Sequence, residues 1–258
     1  MGICNVTLDS FSDGGLAYKT QDALKHIKKM VKDGASIIDI GAESARPGSN
    51  PISYQKEINR LQPILEKLPK DKFIISVDTN KIETQEFVLE KGAHIINDIF
   101  GGNDELFYLI KKYNSGVVLM HTPAPPKIMQ KKTNVYKNVI KDIQKYFNKK
   151  VKQLDKHNIS HKKIWFDPGI GFGKNFNQNL LIMKYINKFR INNCGLLLGS
   201  SRKSWIQKID NSSINHRLGG SLASALYCVA QGVDIIRVHD VFETQQAMEV
   251  YKRITCSR

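Results

Sequence analysis

Residues 73–97 read FIISVDTNKIETQEFVLEKGAHIIN, and this stretch holds a strand, a helix and a second strand in succession. The runs 73–77 and 94–97 are short, apolar and rich in isoleucine, as buried strands are. Between them, 81–90 spaces its apolar side chains as an amphipathic helix does. Outward from this unit the pattern repeats. Further strand candidates lie at 2–7, 36–40, 116–120, 163–166, 195–198 and 234–238, with amphipathic segments between them, for example 20–32, 54–68, 135–157 and 176–189. About eight β/α units is the count of a closed parallel barrel, so the pattern predicts an α/β fold of the (β/α)8 TIM-barrel type. An open doubly wound sheet is the alternative, but it usually has fewer strands and a glycine-rich first turn, and no GxGxxG follows the first strand here. No linker, low-complexity tract or shift in composition divides the chain, which predicts one domain over 1–258.

Composition narrows the class. At 258 residues and 41% hydrophobic content, the chain can bury a substantial core. It has no unbroken apolar run of about 18 residues, which excludes a membrane-spanning helix, and its first residues do not pattern as a signal peptide. The four cysteines stand far apart without metal-ligand spacing, so a reducing compartment, the cytoplasm, is expected. A net charge of +15 raises the question of nucleic acid. The lysines, however, are spread along helix faces (Lys25, Lys28, Lys29 and Lys32; Lys141, Lys145, Lys149 and Lys152) rather than gathered with aromatics. They read as solvated surface that also attracts anionic substrates at long range, and neither a nucleic-acid nor a membrane partner is predicted. Arginine is scarcer. Arg46, Arg202 and Arg237 fall at or just beyond strand-like runs, where a planar charged fork suits carboxylate or phosphate.

In a barrel of this kind the active face is the one where strands end. Asn5 and Asp9 follow the first strand, Glu43 and Arg46 the second, Asp78 the third, Asn97 and Asp98 the fourth, His121 the fifth, and Asp167 the sixth. Ser201 to Ser204 follow the seventh, and Arg237 and His239 the eighth. The strand starts carry no such clusters, and this asymmetry points to a site rather than to scattered polar caps.

These residues lie within recognisable motifs. Residues 1–15, MGICNVTLDSFSDGG, closely resemble the opening signature of the dihydropteroate synthases. In order follow 39–49 (DIGAESARPGS), 76–79 (SVDT), 95–102 (IINDIFGG), 119–121 (LMH), 167–174 (DPGIGFGK), 199–204 (GSSRKS) and 237–240 (RVHD), so the resemblance covers essentially the whole chain. It implies condensation of 6-hydroxymethyl-7,8-dihydropterin pyrophosphate with 4-aminobenzoate, giving 7,8-dihydropteroate and pyrophosphate in folate biosynthesis.

The same resemblance assigns roles. A pterin presents a flat edge of donors and acceptors that buried carboxylates and amides can grip. Asp78, Asn97 and Asp167 take this part, with Lys203 over the ring and Arg237 beside it. Asn5, Arg46, Arg237 and His239 are implied at the pyrophosphate. Asn5 is the single protein ligand to Mg²⁺, a cation usually held chiefly by substrate phosphates and water. Arg237 and His239 are two residues apart on one side of the eighth strand, so both side chains face the same way, which suits a clamp. For 4-aminobenzoate the resemblance implies Phe11, Arg46, Pro47, Phe172, Lys203 and Ser204. Asp78, Lys203, Arg237 and His239 are the catalytic group, with Asp78 stabilising the cation left when pyrophosphate departs. A homodimer is implied as well.

Four positions depart from the family pattern. Leu8 stands for a proline, Ala45 for a hydroxyl residue, Phe100 for a serine and Trp205 for a phenylalanine. Loss of the hydroxyl at Ala45 is expected to cost about 1 kcal/mol of binding. Two other readings compete. A pterin-dependent methyltransferase would share the pterin-gripping residues but has no use for GSSRKS together with SARPG. A non-catalytic pterin-binding protein would have no need of Lys203, Arg237 and His239.

Overall fold

The computed structural model describes residues 1–7, 16–46 and 48–257, with residues 16–19 followed as backbone only. Among them eight parallel strands alternate with helices. The order is β1 (Gly2–Asn5), α1 (Leu16–Lys32), β2 (Ile37–Gly41), α2 (Tyr54–Leu65), β3 (Ile74–Asp78), α3 (Ile82–Glu90), β4 (Ile95–Asp98), α4 (Asp104–Lys112) and β5 (Gly116–Met120). There follow α5 (Val139–Lys156), β6 (Ile164–Asp167), α6 (Phe176–Lys184), β7 (Gly195–Leu198), α7 (Ser204–Asp210), α8 (Leu218–Ala230), β8 (Ile235–Ile236) and α9 (Val241–Cys256).

Strands pair in sequence order, each parallel to the next. The sheet then closes on itself. Gly2 bridges Val238 in parallel, Ile3 N–H donates to the Val238 carbonyl at 3.0 Å, and Val238 N–H donates to the Met1 carbonyl at 2.9 Å. Closure leaves no free sheet edge and excludes the doubly wound alternative.

Two apolar layers hold this arrangement. Inside the barrel Ile95, Val118, Leu197 and Ile235 pack with Met1, Ile37 and Trp165. Trp165 fills the floor because its neighbours lack side chains. A methyl on Gly195 would stand 2.2 Å from the indole Cδ1, and one on Gly116 2.9 Å from Cζ3. Forcing such a group into a packed core costs about 1–3 kcal/mol. The outer layer lies between strands and helices, where Phe147 stacks on Phe166 at 4.4 Å between centroids and meets Phe189 edge-on at 6.2 Å.

Helix starts follow local chemistry. Asn103, Asn138 and Asn175 each turn a side-chain oxygen onto an N–H three residues on, at 2.9, 3.1 and 2.9 Å. Asn138 explains why α5 begins at Val139, later than the expected 135; residues 129–135 form a tighter 3₁₀ turn instead. The expected helix over 176–189 breaks after Lys184 into a 3₁₀ turn at Ile186–Phe189. No described helix is long and apolar enough to cross a membrane. All four cysteines are free thiols, and only Cys256 is exposed.

Candidate active site

Register brings the polar strand ends together. Asn5 pairs with Gly41, Gly41 with Asp78 and Asp78 with Asn97, so four neighbouring strands end in one layer at the barrel mouth. One step deeper lies a carboxylate the motif reading assigned no role. Asp39 is fully buried. Its Oδ1 accepts the Ser76 hydroxyl at 2.6 Å. Its Oδ2 accepts Asn97 Nδ2 at 3.0 Å and Arg237 Nε at 2.6 Å. Arg237 Nη2 then donates to Asp78 Oδ2 at 3.0 Å. One guanidinium thus joins two carboxylates from different strands, which compensates charges that could not be buried alone. A charge inside the apolar run IIDIG was the available signal for Asp39, since a buried strand carboxylate requires a partner.

This network engages one member of the expected clamp. Beyond Ile235–Ile236 the pairing of β8 runs on, the Arg237 N–H donating to the Leu198 carbonyl at 2.9 Å and Val238 bridging Gly2, up to the residue before His239. Arg237 turns into the barrel with two nitrogens engaged by Asp39 and Asp78, leaving Nη1 for a ligand. His239 sits exposed at the rim, its N–H 3.3 Å and its Nδ1 3.1 Å from Ser201 Oγ. The ring itself is partly buried where it meets Ser201, and this loss of hydration, with the nearby Arg237 and Arg202 guanidiniums, lowers its pKa and keeps the imidazole neutral. Arg202, read from sequence as an anion-site candidate, has its fork occupied by Asp240, with Nε at 2.9 Å from Oδ2. Its left-handed backbone, φ 56°, is uncommon for a residue with a side chain.

The opposite wall is built from the loop after β6. Asp167 is buried and accepts the Gly169 N–H at 2.7 Å. Gly169 has φ +73°, and a methyl there would stand 2.2 Å from the His121 carbonyl oxygen, so glycine is required. That carbonyl also receives Lys174 Nζ at 2.8 Å, a buried ammonium whose pKa burial pushes far down. Lys174 lies within the quoted motif 167–174 but was not singled out as a site residue. Lys203, the residue before α7, donates to the Ile170 carbonyl and stands 4.3 Å from the centre of the Phe172 ring.

Burial sets the electrostatics. It raises the Asp78 pKa to about 7, with Arg237 pulling the other way and Asp39 adding to the rise. Asp167 is raised for the same first reason, against Lys203 and the Gly169 N–H. Lys203 is lowered to about 8 by burial, partly offset by Asp167. Perturbed acids and bases facing one concave mouth are the usual mark of a functional site. By contrast, the groove of about 490 Å³ between α1 and the segment after α2 is lined by apolar side chains and lysines such as Leu24, Lys28, Leu68 and Phe73, with no carboxylate.

The second-substrate residues are placed less completely. Arg46 is exposed on the loop after β2, and Ser204 is exposed at the first position of α7. Phe172 is half-buried beneath Lys203. Phe11 and Pro47 lie outside the described residues. Among the described residues no cluster of three or more His, Cys, Asp or Glu is arranged to hold a metal. Asn5 is half-buried at the mouth, its Oδ1 3.4 Å from where a Gly41 Cβ would be.

Comparison with known proteins accords with this geometry. The family model for pterin binding enzymes matches residues 1–239. A dihydropteroate synthase of Escherichia coli (strain K12) is 41% identical over 252 residues, covering 97% of this chain and 89% of that protein. The crystal structure of Yersinia pestis dihydropteroate synthase with a sulfonamide drug complex superposes with a TM-score of 0.92 at 37% identity, over 100% of this chain and 94% of that one. The Xanthomonas albilineans dihydropteroate synthase in complex with 7,8-dihydropteroate superposes at 0.88 with 28% identity, again over 100% and 94%. Matched by the family model over residues 1–239 and 41% identical to a dihydropteroate synthase over 97% of its length, the chain belongs to the pterin binding enzyme family.

Proposed function

We propose that this protein is a dihydropteroate synthase, joining 6-hydroxymethyl-7,8-dihydropterin pyrophosphate to 4-aminobenzoate. The observation that carries this reading is the convergence of Asp78, Asn97, Asp167, Lys203 and Arg237 on one barrel mouth, in a chain 41% identical to a dihydropteroate synthase. Asp78 and Asp167 accept N–H groups of the pterin edge. Asn97, whose Nδ2 is committed to Asp39, offers its carbonyl oxygen. Lys203 caps the ring and donates to its carbonyl.

The C–O bond from the pterin methylene to the pyrophosphate breaks, and its electron pair leaves with the pyrophosphate. Arg237 Nη1 and the rim imidazole of His239 stabilise the departing group, and Asp78 stabilises the cationic pterin left behind. The aromatic amine, held by Arg46 and Ser204 with Phe172 as an apolar wall, then attacks the methylene carbon and loses a proton. Phe11 and Pro47 complete that pocket in this reading. Asn5 would hold Mg²⁺ through its amide oxygen, which fits a cation usually bound chiefly by substrate phosphates and water, and the ion would neutralise charge on the leaving group.

Incubating the protein with both substrates and Mg²⁺ is expected to give 7,8-dihydropteroate by chromatography, and chelation with EDTA to suppress it. Absence of product from protein that binds the pterin would overturn the synthase reading. The four free thiols support residence in the cytoplasm. Homodimerisation is part of the same proposal. Tyr227 on α8 and Phe242, Val250 and Ile254 on α9 are exposed apolar side chains on adjacent helices, a common mark of association. Sedimentation should give twice the 29.3 kDa chain mass, and a monomer at micromolar concentration would contradict it.

A further inference from the structure

The loop between β2 and α2 carries Ala45 and Arg46 at the mouth. Part of its hold on the barrel passes through a lysine on the next loop. Glu43 Oε2 accepts the Ile52 N–H at 2.8 Å, which ties the two ends of the loop together, and accepts Lys81 Nζ at 2.6 Å. The same ammonium lies 3.4 Å from Oε2 of Glu57, a fully buried carboxylate on α2. That oxygen also receives the hydroxyls of Thr79 at 3.0 Å and Thr84 at 2.8 Å, while Glu57 Oε1 is buried without a partner. Thr79 follows Asp78 directly, and its N–H donates to the Asn97 carbonyl at 3.1 Å.

A continuous set of contacts therefore runs from the Asp78–Asn97 layer through Thr79, Glu57 and Lys81 to Glu43 and the loop. The loop is also tied within itself, Ser49 Oγ donating to the Ser44 carbonyl at 2.5 Å and the Arg46 carbonyl at 2.8 Å, and two further bonds lie to either side of Glu43. Arg60 Nη1 donates to the Ala42 carbonyl at 2.7 Å, and the Gly48 N–H to the Pro126 carbonyl at 3.2 Å. Neither sets Glu43. The Lys81 and Glu43 side chains are each only 17% exposed, so their bond is not a water-screened surface pair.

We propose that Lys81 is a positioning residue for the second substrate. Seated on Glu57, it holds Glu43 and so sets the loop geometry in which Arg46 meets the carboxylate of the aromatic amine. This rests on the synthase reading above. It makes Lys81 act on one substrate and not the other, because the pterin layer keeps its own Asp39–Arg237 bonds.

The test compares Lys81→Met, Lys81→Arg and Glu43→Gln in the full-length protein. In Lys81→Met the KM for 4-aminobenzoate should rise about tenfold, while that for the pterin pyrophosphate stays within about twofold. Lys81→Arg, which restores the charge, should recover most of the difference. Hydrogen exchange reads the loop directly and without turnover: the Ile52 amide and its neighbours should exchange faster in Lys81→Met and Glu43→Gln, with β3 and β4 unchanged. Should Lys81→Met fail to fold, Glu43→Gln, which leaves the Lys81–Glu57 pair in place, decides by the same two measurements. Equal rises in both KM values, or unchanged exchange at Ile52, would overturn the proposal. A wild-type protein that makes no dihydropteroate would defeat the synthase reading, and the exchange result would still decide separately whether Lys81 holds the loop.

Discussion

Replacing Asp78 with alanine should lower kcat/KM for the pterin pyrophosphate by about 10²- to 10³-fold, the usual effect of removing one pre-aimed charge from a developing transition state. Asp78 has two functions that alanine cannot supply. It accepts from the pterin edge, and its negative charge faces the cation formed as pyrophosphate departs. Both need the ionised form, and burial raises its pKa to about 7. The sign follows directly: activity should fall as pH drops through about 7, because the protonated carboxyl loses its charge. On the alkaline side Lys203, lowered to about 8, loses its proton and its charge over the ring. The profile of kcat/KM against pH should therefore be a narrow bell with limbs near these two values. Lys203→Arg should carry the alkaline limb upward and leave the acid limb in place. Full pyrophosphate release by Asp78→Ala would remove the cation-stabilising role.

The barrel was legible because its signal is local. In 73–97 the apolar runs and the helical spacing each depend on a few neighbouring residues, and eight repetitions of that pattern allow few other folds. Strand boundaries came one residue early at β2, β3, β4 and β6 for a physical reason. Apolarity marks what is buried, whereas the backbone ladder continues to Gly41, Asp78, Asp98 and Asp167 at the mouth. Asp78 and Asp167 end their strands, Asn97 stands one residue short of the end of β4 and Lys203 immediately precedes α7, which places all four on one face of the barrel.

Partnership was not legible. Arg237 is 198 residues from Asp39, and nothing in either segment says that their side chains meet. Lys81 and Glu57 resembled ordinary charges on amphipathic helices, and only the packing of α2 against the end of β3 shows Glu57 to be buried. The clamp of Arg237 with His239 was read from strand spacing, which says nothing of the Asp39 and Asp78 carboxylates that engage Arg237.

The second large effect is expected at Asp39. Asp39→Ala removes the partner that binds Arg237 Nε, Asn97 and Ser76 at once, leaving a buried guanidinium facing Asp78 alone. Breaking a buried pair from one side costs about 3–5 kcal/mol. In a chain of this size that lowers Tm by roughly 10 °C, which thermal unfolding would read. Pterin binding should weaken too, since Asn97 loses the acceptor that orients it. One consequence separates this from simple loss of packing. The Asp39 charge helps to raise the Asp78 pKa, so its removal leaves Arg237 with less to oppose it at Asp78, although burial, Glu57 and Asp98 still act. The acid limb of the pH profile should then move to lower pH even as activity falls. Asp39→Asn, which keeps an acceptor but no charge, should produce the same shift with less loss of stability. Adding Arg237→Met to Asp39→Ala should recover part of the stability by removing the orphaned charge, while pterin affinity stays low. A limb that stays fixed in both Asp39 variants would mean that the two carboxylates do not share Arg237 in solution.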